Sequence, residues 1–599
     1  MKTFRKYITI AVVFTISSVI PLPSCKEFLD PEQEIDITKD QLYDDWYEYR
    51  SIEMGLYGLQ QNLVEQLVVL GELRGDLLTI TDNADADLVE IYNFNVSKDN
   101  KYASPTNFFK LISASNSFIR TLQRERPEVM DMNSPVNNYD RLYGEALCMR
   151  AWAYFNAVRI YGKVPFIHES LTSMQEINEY LNSSGTYTDS VDIVFDKDGY
   201  HNDTIYNKPV ELEKQYFNQD LIIDYFTNEL ENKVKAVGVN HYIDNNDVTW
   251  EVTIWNRHAM NTLLGLMYLT QGDLAKAANY FEKIVYLSSD NFRYQIDNSF
   301  ANNRWKNIFN NIDLKEHIYT IWFNKANFQQ NNLQNLFEPV SPHQYMLKPT
   351  RKAILNWETI WDDFVLSTNN DQPWRSETVY KGRPGDFYRG YGVSYAYLRN
   401  GEVLSDTTIQ RMLYLKSEED YRTANVLVEN VDTVVWKYSW NKNLYDQDAN
   451  FTLYRAAGVH LWLAEVYVHW AFEQNNIVRF FTSNAVNIVN DGSNYSASSS
   501  RDQMGVRGRV GFGGNNDGIK VGNINYVREP FTNEIIDYID LSGNFQGKQY
   551  YLEAQIIDEK ARELAFEGER FYDLMRVAKR RNDPSFLAER VAKKYPAGK

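Results

Sequence analysis

Residues Arg562–Arg576 read RELAFEGERFYDLMR. Apolar or small residues at Ile557, Ala561, Leu564, Gly568, Phe571 and Met575 recur at intervals of three and four, which puts them on one helical face. Glu563, Glu567 and Arg570 are spaced three and four apart and are expected to pair along that helix. Gly568 within the seam costs about 1 kcal/mol against alanine, so a close neighbour is expected there. The periodicity predicts one amphipathic, charge-laced helix through the stretch.

Two further regions read as packed helices. Ala259–Leu287 (AMNTLLGLMYLTQGDLAKAANYFEKIVYL) places Leu264, Gly265, Tyr268, Gly272, Ala277 and Phe281 at tetratricopeptide-repeat spacing, with Gln271-Gly272-Asp273 as the turn. Small residues let the two helices approach, while Tyr268 and Phe281 fill the space between them. Arg141–Tyr161 (RLYGEALCMRAWAYFNAVRIY) is apolar nearly all round, which predicts a buried helix ended by Gly162 and Pro165. Glu145 and Arg150 inside it require polar partners, and Cys148 reads as a buried thiol. Phe108–Leu122 and Tyr454–Phe472 are expected as further helices. Between Phe292 and Asn450 the helical period fades and alternation appears in Ile318–Phe323 and Thr433–Trp440, which predicts loops and short strands. Ser183–Asn207 reads as a second irregular, polar stretch.

These strings closely resemble the SusD/RagB family. RELAFEGERFYDLMR is similar to the family's C-terminal signature. Residues 141–165 resemble its GEA-x-x-x-RA-x-x-YF…YG-x-VP motif, residues 454–470 its R-x-A-[DE]-x-x-L-x-x-AE stretch with Gly458 in place of the acid, and Gln503–Phe512 its VR-x-RAG segment. The resemblance implies a mostly α fold: a right-handed, tetratricopeptide-repeat-like superhelix of helical pairs with an interleaved loop-rich region carrying short strands. On that expectation residues 25–599 form a single SusD-like globule, with helical scaffold at about 40–290 and 450–599 and a ligand-binding, loop-rich region at about 291–450.

The start of the chain points the same way. Lys2, Arg5 and Lys6 precede an apolar run from Ile8 to Ile20, and Leu22-Pro23-Ser24-Cys25 comes next, resembling a lipobox. Residues 1–24 are expected as a lipoprotein signal peptide, with Cys25 the lipidated first residue of the mature chain. The run is too short for a membrane span, which needs about 20 apolar residues. Removing the signal takes the net charge from −18 to −21, which argues against nucleic acid as a partner. With Cys25 acylated, Cys148 is left alone, so no intrachain disulfide is expected.

Signatures of chemistry are scarce. Eight histidines fall in no metal-ligand spacing, and neither a nucleophile elbow nor a phosphate loop occurs. Thr81–Glu90 carries Asp82, Asp85 and Asp87 without the spacing of a calcium loop and reads as a solvated loop; Arg507–Asp517 reads as a glycine-rich turn. No catalytic residue, metal or cofactor is assigned. Binding remains, and the 42 tyrosines and 13 tryptophans supply flat faces with polar edges suited to it. The resemblance implies two ligand regions. One is Leu88–Lys101, with Tyr92, Asn93 and Asn95. The other comes after the repeat hairpin, with Trp305, Trp322, Asn324 and Phe328, then Trp374, Arg375 and Tyr388. Trp322 and Asn324 are expected on one face of an alternating strand. The function implied is that of an outer-membrane lipoprotein facing the cell exterior, which binds an oligosaccharide and delivers it to a SusC-like TonB-dependent transporter. A peptide-binding RagB-type member is the alternative, and a helical glycoside hydrolase with two carboxylates across a cleft a more distant one.

Overall fold

Asp and Asn side chains open most of the long helices, each accepting a backbone N–H that the first turn leaves without a partner. The computed structural model describes residues 45–130, 136–168, 216–235, 247–286, 315–367, 442–474, 482–492, 518–529 and 534–595, with shorter pieces between them. Two units divide the chain, Met1–Ile52 and Glu53–Lys599. In the first, Asp45 Oδ1 accepts from the N–H of Tyr47 and Glu48 and so starts α1, Trp46–Gln61.

Further along come α2 (Ala86–Tyr92), α3 (Thr106–Arg124), α4 (Asn138–Tyr161), α5 (Gln219–Lys233), α6 (Arg257–Gln271), α7 (Leu274–Val285), α8 (Ala456–His469), α9 (Thr482–Asn490), α10 (Phe545–Glu563), α11 (Arg570–Arg581) and α12 (Ser585–Ala592). Their caps include Asp85 for α2, Asn137 for α4, Asn218 for α5, Asn256 for α6, Asp273 for α7 and Asn544 for α10. Successive helices pack as pairs: α3 on α4, α4 on α5, α6 on α7, α7 on α8, and α8 on both α9 and α10.

Every residue of α4 from Asn138 to Arg159 is buried, as its apolar sequence requires. Its charges have partners: Arg150 donates to Glu229 (2.6 Å) and Asn116 (2.9 Å), and Glu145 accepts from Tyr57 (2.6 Å). Cys148 is buried and unpaired by disulfide. The α6–α7 hairpin turns at Gly272 (φ +99°) and Asp273. A Cβ on Gly265 would lie 2.4 Å from the Phe281 ring, so glycine is what lets these two helices close.

Three expectations change. The 562–576 stretch is two helices, since α10 ends at Glu563 and α11 begins at Arg570. Phe566 (φ +69°) and Gly568 (φ +88°) form the break. It exists because the π-helical turn Val69–Leu73 packs directly on it: a Cβ on Gly71 would sit 1.8 Å from the Gly568 carbonyl oxygen. The expected close neighbour of Gly568 is therefore real, but it meets a turn. Second, the helix expected over Tyr454–Phe472 is the shorter α8, flanked by strands Phe451–Arg455 and Ala471–Gln474. Third, Ser183–Asn207 is not simply irregular, because Val191–Phe195 and His201–Tyr206 pair there as an antiparallel hairpin.

The 291–450 region carries short antiparallel strands as expected. Four strands of the molecule form two ribbons that tie this region to the helices: β1 (Leu78–Ile80), β2 (His317–Ile321), β3 (Leu347–Pro349) and β4 (Phe451–Arg455). β1 pairs with β3, while β2 pairs with β4 in the register Ile321↔Phe451 to His317↔Arg455. All five residues of β2 are buried, so the alternation in its sequence does not mark a solvent face; both faces are covered. Among the described residues from Thr433 to Trp440, strand is confined to Thr433–Val435.

Candidate ligand-binding platform

The charges of the sequence motifs converge inside the protein. Arg455, 1% exposed, ends β4 and donates to Glu567 (2.9 and 2.8 Å), Glu563 (2.7 Å), Glu316 (3.2 Å) and the Glu563 carbonyl (2.7 Å). Lys437 adds a bond to Glu567 (2.5 Å), and Arg389 bridges Glu559 (2.5 Å) and Glu563 (3.1 Å). Burial opposes the charge on Arg455, but Glu567 and Glu563 outweigh it and hold its pKa well above the usual value. Burial likewise works against the charge on Glu567, yet Arg455 and Lys437 keep its carboxyl below the ordinary range. Glu563, Glu567 and Arg570 do not pair with one another; Arg570 instead forms a two-point bond to Asp76 (2.6 and 2.9 Å). Glu465 accepts from Arg576 (2.9 and 2.8 Å) and from Lys560. This closed network is scaffolding, and its carboxylates are already committed to cations.

The β2–β4 ribbon leads out of that network. At its Arg455 end it joins the turn between α10 and α11; at its Ile321–Phe451 end both strands run into loops, 322–332 and 442–450. These loops are tied to each other. Asn331 N–H donates to the Gln447 carbonyl (2.7 Å) and its amide to the Ala449 carbonyl (2.6 Å). Gln330 donates to the Asp446 carbonyl (2.7 Å), Lys325 Nζ to Asp446 Oδ1 (3.1 Å), and Phe323 N–H to Asn450 Oδ1 (2.9 Å). Gln61 Nε2 donates to the Trp322 carbonyl (2.7 Å) and Asn332 to Glu65 (3.0 Å), which pins the first loop to the helices beneath.

Each loop presents one exposed aromatic ring. Asn324 folds the first into a tight turn: its side chain accepts from Ala326 N–H (2.8 Å) and its carbonyl from Asn327 and Gln329 (both 3.0 Å). Phe328 comes next at φ +59°, in the left-handed region, and is 93% exposed. In the second loop Asn443 Oδ1 accepts from Tyr445 N–H (3.1 Å), and Tyr445 is 65% exposed. A non-glycine residue held at positive φ with its ring in water is an unusual arrangement. Two cross-tied loops on a buried ribbon hold the backbone beneath both rings, which lowers the ordering cost of binding there.

Of the residues singled out in the sequence, Phe328 stands on these loops, with Asn324 as its turn-former. The strand ends at Ile321, so Trp322 and Asn324 share no strand face; both are half-buried. Tyr92 is buried, with Tyr595 donating to its carbonyl (2.5 Å), the Tyr595 ring 4.9 Å away and Lys594 over its face, so it is a packing residue. Asn93 and Asn95 are exposed beside Phe94, which stands at φ +54° against Phe571. Asp82 is exposed in the turn before α2, as expected of a solvated loop, but Asp85 and Asp87 belong to the start of α2, and Asp85 also meets Lys101 (2.7 Å). Trp305, Trp374, Arg375, Tyr388 and Cys25 lie outside the described residues, as does most of Arg507–Asp517. Sequence reasoning missed Tyr445; the Asn443-Leu-Tyr-Asp run ahead of a strand was its one signal. Among the described residues, no group of three His, Cys, Asp or Glu is placed to hold a metal ion.

Residues 27–198 match the SusD-like family described as "Starch-binding associating with outer membrane". A SusD-like protein of Formosa agariphila is 29% identical over 169 residues, which is 27% of this chain and 31% of the relative, so the match spans less than a third of that protein's length. A solved laminarin-binding SusD-like protein shares the fold over 93% of this chain and 95% of its own, at 15% identity and a TM-score of 0.50. A SusD-like protein of Bacteroides fragilis does so over 90% and 88%, at 16% identity and 0.53. The N-terminal part of the chain thus matches the SusD-like family in sequence, and most of its length shares the fold of SusD-like proteins.

Proposed function

We propose that this protein is a cell-surface lipoprotein, anchored through Cys25, that binds a glycan on the platform of Phe328 and Tyr445 and passes it to a SusC-like TonB-dependent transporter. The observation that carries the reading is the exposure of these two rings on interlocked loops. Sugar rings present apolar C–H faces that stack on aromatic faces, and preset loops reduce the ordering cost. The fold shared with a laminarin-binding protein supports the glycan class. Binding proceeds without turnover on this reading, since the nearby carboxylates Asp446 and Asp448 are held by Lys325 and Lys442.

Affinity electrophoresis of the full chain against a glycan panel tests it. At least one glycan is expected to retard the protein, and F328A/Y445A to weaken that binding by about tenfold or more, as for loss of an anchoring ring. Retention of a peptide pool in place of every glycan would move the chain to the peptide-binding branch, and release of reducing ends would overturn the non-catalytic reading. Metabolic labelling with a fatty acid, lost in C25A, tests the anchor.

A further inference from the structure

Charge on the two loops is paired within the loops themselves, and this bears on which glycans the platform takes. Residues 322–332 and 442–450 contain four charged side chains, Lys325, Lys442, Asp446 and Asp448. They sum to zero and pair off: Lys325 with Asp446 (3.1 Å), Lys442 with Asp448 (3.3 Å), and Lys325 N–H also donates to Asp448 (3.3 Å). The remaining polar groups beside the rings are amides. Asn327, Gln330 and Asn443 are exposed, each within two residues of Phe328 or Tyr445. An amide offers donors and an acceptor without net charge, which matches a hydroxyl that both donates and accepts.

We infer that the platform selects uncharged glycans and discriminates against carboxylated or sulfated ones. This rests on the proposed function and adds the ligand's charge class. An anionic sugar that reaches Lys325 meets an ammonium already paired with Asp446, so its charge lies beside that carboxylate, a like-charge contact that disfavours the complex. The chain as a whole carries −18, which adds long-range repulsion of a polyanion. A neutral chain meets neither penalty, and it stacks on Phe328 and Tyr445 with hydroxyls on the amides.

The test uses the purified full chain in detergent and matched polymers: laminarin, dextran and hydroxyethylcellulose beside laminarin sulfate, dextran sulfate and carboxymethylcellulose. The expected result is that a neutral polymer binds and its charged counterpart binds at least about tenfold more weakly, a difference of about 1.4 kcal/mol. Binding of the neutral polymer should stay constant when added salt shortens the Debye length from about 10 Å to about 3 Å. A charged derivative that binds as tightly as its neutral parent, with both lost in F328A/Y445A, overturns the charge selection and leaves the glycan-binding platform standing. Neutral binding that F328A/Y445A leaves unchanged overturns the platform and this inference with it, and retention of no polymer overturns the glycan reading itself.

Discussion

Arg455 shows how single residues hold the molecule together. Its guanidinium reaches Glu316, Glu563 and Glu567 at once while almost fully buried. Arg455→Met would leave those carboxylates short of a cation, and breaking a buried ion pair costs about 3–5 kcal/mol; the midpoint of urea unfolding should fall accordingly. A shift worth less than about 1 kcal/mol would show that the network relaxes without it. Glu72 gives a pH-dependent counterpart. Its Oε1 accepts from Gly568 N–H (2.8 Å), and burial, opposed by that bond, raises its pKa to about 7. The unfolded chain ionises this group near 4.5, so the folded state binds the extra proton between about 4.5 and 7. Stability from this site is therefore full below pH 4.5 and is lost as pH rises through 7. Glu72→Gln keeps the acceptor and removes the titration, so relative to the natural chain it should gain about 1–3 kcal/mol between pH 5 and pH 8, read from denaturant midpoints at each pH.

At the level of elements, the break between α10 and α11 matters as much as the helices. It lets the Val69–Leu73 turn dock, with Gly71 against Gly568. Gly71→Ala would drive a methyl into a backbone carbonyl that no side-chain motion can clear, and a loss of about 3 kcal/mol or more is expected, seen as a lower urea midpoint at unchanged slope. The α6–α7 hairpin was legible because everything defining it is local: Asp273 caps, Gly272 turns, and Gly265 meets Phe281 from the very next helix. The break was not legible. Leu564, Gly568 and Phe571 satisfy a helical period on both sides of it, and what interrupts that period is a partner almost five hundred residues away. Tyr92 misled for a related reason: its cover, Lys594 and Tyr595, comes from the far end of the chain. Phe328 could be singled out as an aromatic in a loop-rich stretch, but its left-handed turn depends on Asn324, and the loop that carries Tyr445 is tied to its own only by bonds spanning more than a hundred residues.

Across the second unit, long-range ion pairs join segments remote in sequence. Arg159 meets Glu569 across 410 residues, and Arg570 meets Asp76 across 494. The C-terminal signature stretch is therefore a fastening point, and the proposed platform stands at the opposite end of the ribbon that Arg455 anchors. The C-terminal string that carried the family resemblance lies in these buried charge networks, where loss of one partner is costly, whereas exposed rings on loops are under no such packing constraint. Hydrogen–deuterium exchange of the full chain with and without a bound neutral glycan tests this placement most directly. Slowed exchange concentrated in residues 322–332 and 442–450 is the predicted result. Slowed exchange confined to residues 93–101, or found elsewhere while the two loops stay unchanged, would contradict it.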